Sequence, residues 1–154
     1  MTRHEHRPGI LLPATVLLAV FLAAVGAEAA SAGSVSVDIG MVVASNQGTS
    51  IDPALSALRA KLQSMFNYSS YKMLDRAKRT LAVGETGDFV LPGGRSMRVT
   101  PVPAPANKVR LAVQIMEGDR NLLTTTLGLS RGGMVLVGGP PYRSGVMILL
   151  ISAE

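Results

Sequence analysis

The chain has 154 residues, a net charge of +5, no cysteine, no tryptophan and only two histidines. That length suits one domain around one hydrophobic core. The missing thiols exclude disulfides, thiolate nucleophiles and thiolate metal sites. With only 4% aromatic residues, a nucleic-acid partner is not expected, because such surfaces add stacking rings or a reading motif to their positive charge.

The first 32 residues read as an export leader. Arg3, His4, His6 and Arg7 make a basic start, Ile10 to Val25 is apolar, and Ala27-Glu28-Ala29 and Ala30-Ser31-Ala32 each offer a small-x-small cleavage pattern. The apolar run is shorter than the roughly 20 residues needed to span a bilayer. Cleavage after Ala29 or Ala32 is therefore the expectation, and an uncleaved membrane anchor is the alternative. The expected location is periplasmic or extracellular in a bacterium, and membrane-associated if the leader stays on. A cut after Ala32 leaves residues 33–154 as a single domain with thirteen basic and eight acidic residues.

Both histidines lie in the leader, so the remainder holds no imidazole to serve as a base or metal ligand. Carboxylates, hydroxyls, lysines and tyrosines are what remain for catalysis. Asp52 reads as a helix cap, Glu85 and Asp88 as parts of a glycine turn, and Glu117-Gly118-Asp119 as another turn. No acids cluster at the alternating spacing of a calcium loop. The domain is expected to be non-enzymatic and to carry no cofactor. The rival is a carboxylate-based hydrolase of envelope glycans, which needs two acids facing across a cleft.

Ser34 to Val43 alternates Val35, Val37, Ile39 and Met41 with small or polar residues, the pattern of a strand with one buried face. Asp52-Pro53 then opens a helix, with Asp52 as cap and Pro53 at the first helical position. Leu55, Leu58, Leu62, Met65 and Phe66 follow at helical spacing. Such a stripe could bind a membrane or a partner, but packing on the protein's own sheet is the plainer reading.

Tyr68 to Val83 reads as a strand with imperfect alternation and room for a bulge, and helix continuing through Lys78 competes with it. Asp88 to Leu91 and Ser96 to Val102 flank Pro92-Gly93-Gly94-Arg95, a hairpin signal. Pro101, Pro103 and Pro105 read as an extended edge or linker. Lys108 to Met116 and Leu122 to Leu129 pair across Glu117 to Arg120. Met134 to Val137 is the next strand, Gly138 to Gly145 reads as a loop, and Val146 to Ile151 closes the chain. That last stretch is apolar on both faces, as in strands covered on both sides.

The fold expected is α+β: an antiparallel sheet or sandwich of about seven strands with one packed amphipathic helix. Lys72, Arg76, Lys78 and Arg79 form the densest basic cluster. Together with Tyr142 and Arg143 in the Gly139 to Gly145 loop they are the candidate binding surface, weighed against a plain solvated basic face. The expected partner is an envelope protein or an anionic surface. The edge of the C-terminal hairpin could accept a partner strand, and a second copy could add at the C-terminal strand.

The segment Leu122 to Ile151 runs T-T-T-L-G-L, then R-G-G-M-V-L-V-G-G-P, then G-V-M-I-L-L-I. It resembles small uncharacterised exported proteins of Gram-negative bacteria. It is also similar to the hairpin of secretins, the outer-membrane pore proteins of secretion and pilus machines. The resemblance implies an envelope location and carries over no functional residue. Mass spectrometry of the exported protein should find a new N-terminus at Ala30 or Gly33; an intact Met1 start would show instead that the leader is retained.

Overall fold

The computed structural model describes residues 33–154. The leader, with its expected cleavage at Ala29 or Ala32, lies outside the described residues. Eight strands form: β1 (Ser34–Ser45), β2 (Ser70–Ala82), β3 (Gly87–Leu91), β4 (Arg95–Val102), β5 (Lys108–Glu117), β6 (Arg120–Ser130), β7 (Met134–Tyr142) and β8 (Gly145–Ala153). Between β1 and β2 lie a 3-10 turn, Pro53–Leu58, and a short helix α1, Arg59–Met65. About seven strands were expected; there are eight, at the eight segments read as strands from the sequence.

The strands make two four-stranded antiparallel sheets, ordered β2-β1-β8-β7 and β3-β4-β5-β6. Six of the eight neighbour links are ladders: four between strands joined by short connections, the β1–β2 pair joined through the helical segment, and the pairing of β1 with β8. The β2/β3 and β6/β7 links carry no ladder. The result is an up-and-down ring of strands, flattened into a sandwich and open along two seams. Among the described residues no helix is long and apolar enough to cross a membrane.

Period-two patterning fills the space between the sheets. Val35, Val37, Ile39 and Met41 of β1, Met147, Leu149 and Ile151 of β8, and Val109, Leu111, Val113 and Ile115 of β5 are buried in one cluster. The opposite face of the first sheet forms a second cluster. There Val42, Ala44, Ile148 and Leu150 meet Leu55 and Leu62 of the helical segment. β8 is thus covered on both sides, as its doubly apolar sequence requires.

The helical segment packs on the domain's own sheet. The Asp52 side chain accepts from the Ala54 N–H at 2.9 Å, and Pro53 opens the 3-10 turn. Met65, expected on the apolar face, is half exposed. The segment starts with the three-residue winding of a 3-10 turn and ends at Met65, so the 3.6-residue stripe is not kept throughout. Tyr71 anchors the far end: its buried hydroxyl lies 2.5 Å from the Phe66 carbonyl and 3.2 Å from that of Leu62.

Two further expectations change. Gly138 to Tyr142 is strand rather than loop, pairing with β8 around a bulge, so the connection shrinks to Arg143-Ser144. Pro101 and Val102 end β4 as the expected Ser96 to Val102 strand has them, opposite Leu111 and Arg110. β8 is hydrogen-bonded on both edges, to β1 and β7, so a second copy has no free edge to join at the C-terminal strand.

Leu62 is fully buried and touches the sheet, whereas Met65 projects into solvent. Leu62→Ala should cost about 2–5 kcal/mol and Met65→Ala under about 0.5 kcal/mol in urea unfolding. Equal small effects would contradict the packing of α1 on the first sheet.

Candidate functional site: the basic edge of the first sheet

β2 is an edge strand, and a long edge exposes backbone groups that can recruit another chain. Hydrogen bonding shows which groups point outward. Ser36 donates its N–H to the Glu154 carbonyl (2.9 Å) and accepts from the Glu154 N–H (3.0 Å). Both of its backbone groups therefore face β8. Thr80, opposite Ser36, must point its own backbone groups away from β1, and alternation makes Arg76, Lys78 and Ala82 do the same.

Side chains close most of this edge. Ala82 N–H donates to Glu85 Oε2 (2.8 Å) and Arg76 N–H to Asp75 Oδ1 (2.8 Å). Nearer the start of the strand, Tyr71 N–H donates to the Ser50 carbonyl (3.0 Å) and Met73 N–H to Asp52 Oδ2 (3.3 Å). Among the described residues, the outward N–H groups of Lys78 and Thr80 have no protein partner. The open window is about four residues long, roughly 13 Å of extended chain.

The strand's imperfect alternation has a structural cause. The register shifts between the Met41–Asp75 and Val42–Met73 pairs, leaving Leu74 as an extra residue. Tyr71 and Met73 therefore face α1, while Ala77 and Leu81 face the second sheet. The same switch splits the basic cluster. Arg76 and Lys78 share the outer face with Asp38, whereas Lys72 lies opposite Val43 and Arg79 opposite the core residue Val37.

Arg79 reaches across the β2/β3 seam, its guanidinium 5.6 Å from the Phe89 ring centroid. Tyr142 and Arg143 lie at the β7–β8 turn, at the other end of the sheet from Lys78. Arg143 sits there at φ 51° and 5.3 Å over the Tyr142 ring. That ring packs on Gly93 of the β3–β4 turn. The six candidate residues therefore form one pair, Arg76 and Lys78, two separate contacts at a seam and an end (Arg79 on Phe89, Arg143 on Tyr142), and Lys72 apart from both.

Around that pair the outer face forms a shelf beside the helix, with two adjoining hollows of about 100 and 260 Å³ that share Asp38, Arg76, Met134 and Ser152. Arg76 grips Asp38 with both forks, Nε to Oδ1 at 2.8 Å and Nη2 to Oδ2 at 2.6 Å. These bonds hold the Asp38 carboxyl below its ordinary value, and Lys78 adds to the effect; the Arg76 guanidinium is raised in return. Lys78 keeps its charge free of any carboxylate among the described ion pairs. The shelf can hold an anionic or hydroxylated group against Lys78 and the Ser36 and Ser152 side chains. Ser36, Ser152 and Met134 carry no local signal for this shelf, though Asp38 stands out as the one charged residue of β1.

No family model matches the chain, and no curated protein matches it. Among solved structures, the type II secretion (T2SS) secretin XcpQ from Pseudomonas aeruginosa superposes with a TM-score of 0.35 at 11% identity. The match covers 79% of this chain and 56% of that one, so the chain spans little more than half of the secretin chain. A likeness of that degree fixes neither fold nor function.

The Asp38–Arg76 pair predicts a pH dependence. A carboxyl held below its unfolded value, ordinarily about 3.9, stabilises the fold above that value; the contribution is lost as pH falls through the lower folded value. Wild type should therefore lose stability more steeply than Asp38→Asn as pH drops below about 4 in urea titrations. Parallel curves would contradict the pair's role.

Proposed function

We propose that this chain is a non-enzymatic module of the bacterial envelope that binds or assembles with a partner by contact, through sheet edges and loops. The observation that carries this reading is how the carboxylates are used. Asp38 holds Arg76, Asp88 holds Arg98, and Glu117 holds Arg95 and Arg120. Asp52 caps the helical segment, while Asp75 and Glu85 close outward N–H groups of β2. The two acids of residues 33–154 outside these bonds are Asp119, in the β5–β6 turn, and Glu154, just past the end of β8. Successive strands run up and down, so these two lie at opposite ends of the sandwich and cannot face each other across one substrate.

What remains available is surface. The β2 window presents backbone donors beside Lys78, and an extended acidic segment of an envelope protein suits both through strand addition and charge. The export leader read from the sequence supports the location, and the anionic character of many envelope surfaces suits the net positive charge.

The test is a photo-crosslinking residue placed at Lys78, and separately at Lys61 on α1, in the protein expressed in its native cells. A discrete adduct from position 78 that is absent from position 61 is expected in the envelope fraction. No adduct from position 78, or full-length chain confined to the cytosol, would contradict the proposal.

A further inference from the structure

Six glycines lie inside strands, and four are tightly packed. An added Cβ would meet Leu150 at 3.3 Å from Gly40, Leu81 at 2.8 Å from Gly87 and the Met147 carbonyl at 3.0 Å from Gly139, while at Gly138 it would reach ordinary contact with Phe66 at 3.4 Å. At Gly145 it would run into the Ala44 carbonyl. Gly128, in β6, differs. An added Cβ there meets nothing within 4 Å, and its φ is not in the left-handed range. Glycine inside a strand weakens it, and often marks a place where a ligand or another backbone comes close.

Gly128 stands opposite Arg110 on the outer face of the second sheet, and its neighbour in the same row of side chains, Ser130, stands opposite Lys108. The missing side chain opens a cleft of about 420 Å³ bounded by Lys108, Arg110, Gly128, Ser130 and Pro105. No carboxylate lines it, and neither Lys108 nor Arg110 takes part in an ion pair among the described residues. One of the two cations is held in place: Lys108 Nζ donates to Ser130 Oγ at 3.1 Å, and beside the cleft Arg131 Nε donates to the Ala106 carbonyl at 2.9 Å. Keeping like charges together without a counter-charge opposes folding, and an oxyanion would relieve it.

We propose that this cleft binds a phosphate-bearing ligand, with Arg110 and Lys108 on the oxyanion and the bare backbone at Gly128 admitting the group that carries it. Arginine matches phosphate with its planar fork and lysine with its point charge. The volume exceeds that of one phosphate, so a phosphate ester or a lipid headgroup fits the same chemistry. The site is on the opposite sheet from the β2 window and stands or falls independently of it.

Two probes distinguish the sources: inorganic pyrophosphate, followed by amide shifts in NMR, and co-sedimentation with phosphatidylglycerol vesicles against phosphatidylcholine ones. Saturable shifts centred on Gly128 and Ser130 mark a soluble phosphate ester, and selective sedimentation marks a headgroup. Either should weaken about tenfold or more in K108Q/R110Q, which removes two charge-assisted contacts. Gly128→Val should weaken binding comparably while leaving the melting temperature unchanged or higher, since valine suits a strand and the space is open. No binding of either probe by the folded protein, or wild-type affinity in either variant, would overturn the proposal.

Discussion

The fold depends on the pairing of β1 with β8. These strands come from opposite ends of the described chain, yet they are the two central strands of the first sheet. Without that ladder the hairpins of β1–β2 and β7–β8 would each be a two-stranded ribbon, which is marginal in water. With it, Met147, Leu149 and Ile151 enter the inter-sheet core while Ile148 and Leu150 form the seat of the helical segment. The shelf rests on the same ladder, since Asp38 and Ser152 are register partners within it. Such a distant contact closes a long loop, which predicts slow folding for a domain of this size.

A sandwich with two open seams has four edges to protect, and this chain uses a different device at three of them. β3 is only five residues long. β7 carries Pro140 and Pro141, which cannot donate to a neighbour, and a bulge that bends it. β2 is long, and its outward donors are closed by Asp52, Asp75 and Glu85 except at Lys78 and Thr80. The acids that first suggest hydrolytic chemistry are therefore largely explained by backbone satisfaction and ion pairing. Electrostatics here protects edges and leaves unpaired positive charge at sites that include the β2 window and the Gly128 cleft.

Much of this was legible in the residues. Period-two alternation located β1 and β5, Asp52-Pro53 located the start of the helical segment, and the doubly apolar closing stretch required a strand covered on both faces. The parts that were not legible depend on pairing. A single extra residue at Leu74 turns one side of β2 over, and nothing local to Tyr71–Ala82 specifies where that happens. Gly138 to Tyr142 looks like a loop because glycine and proline dominate it, but pairing with β8 overrides local preference. For the site, Lys78 and Arg76 were visible as charges, whereas the grip of Arg76 on Asp38 joins residues 38 positions apart and follows only from register. Gly128 gives no signal in sequence at all; it stands out only when the space around each glycine is known.

The most direct measurement of the central claim is native-state amide hydrogen exchange resolved by residue. If the β1–β8 ladder holds the domain together, the most protected amides should lie in the facing stretches Ile39–Val43 and Met147–Ile151, exchanging only with global unfolding. Exchange of the β8 amides through a lower-energy opening while β1 stays protected would contradict it.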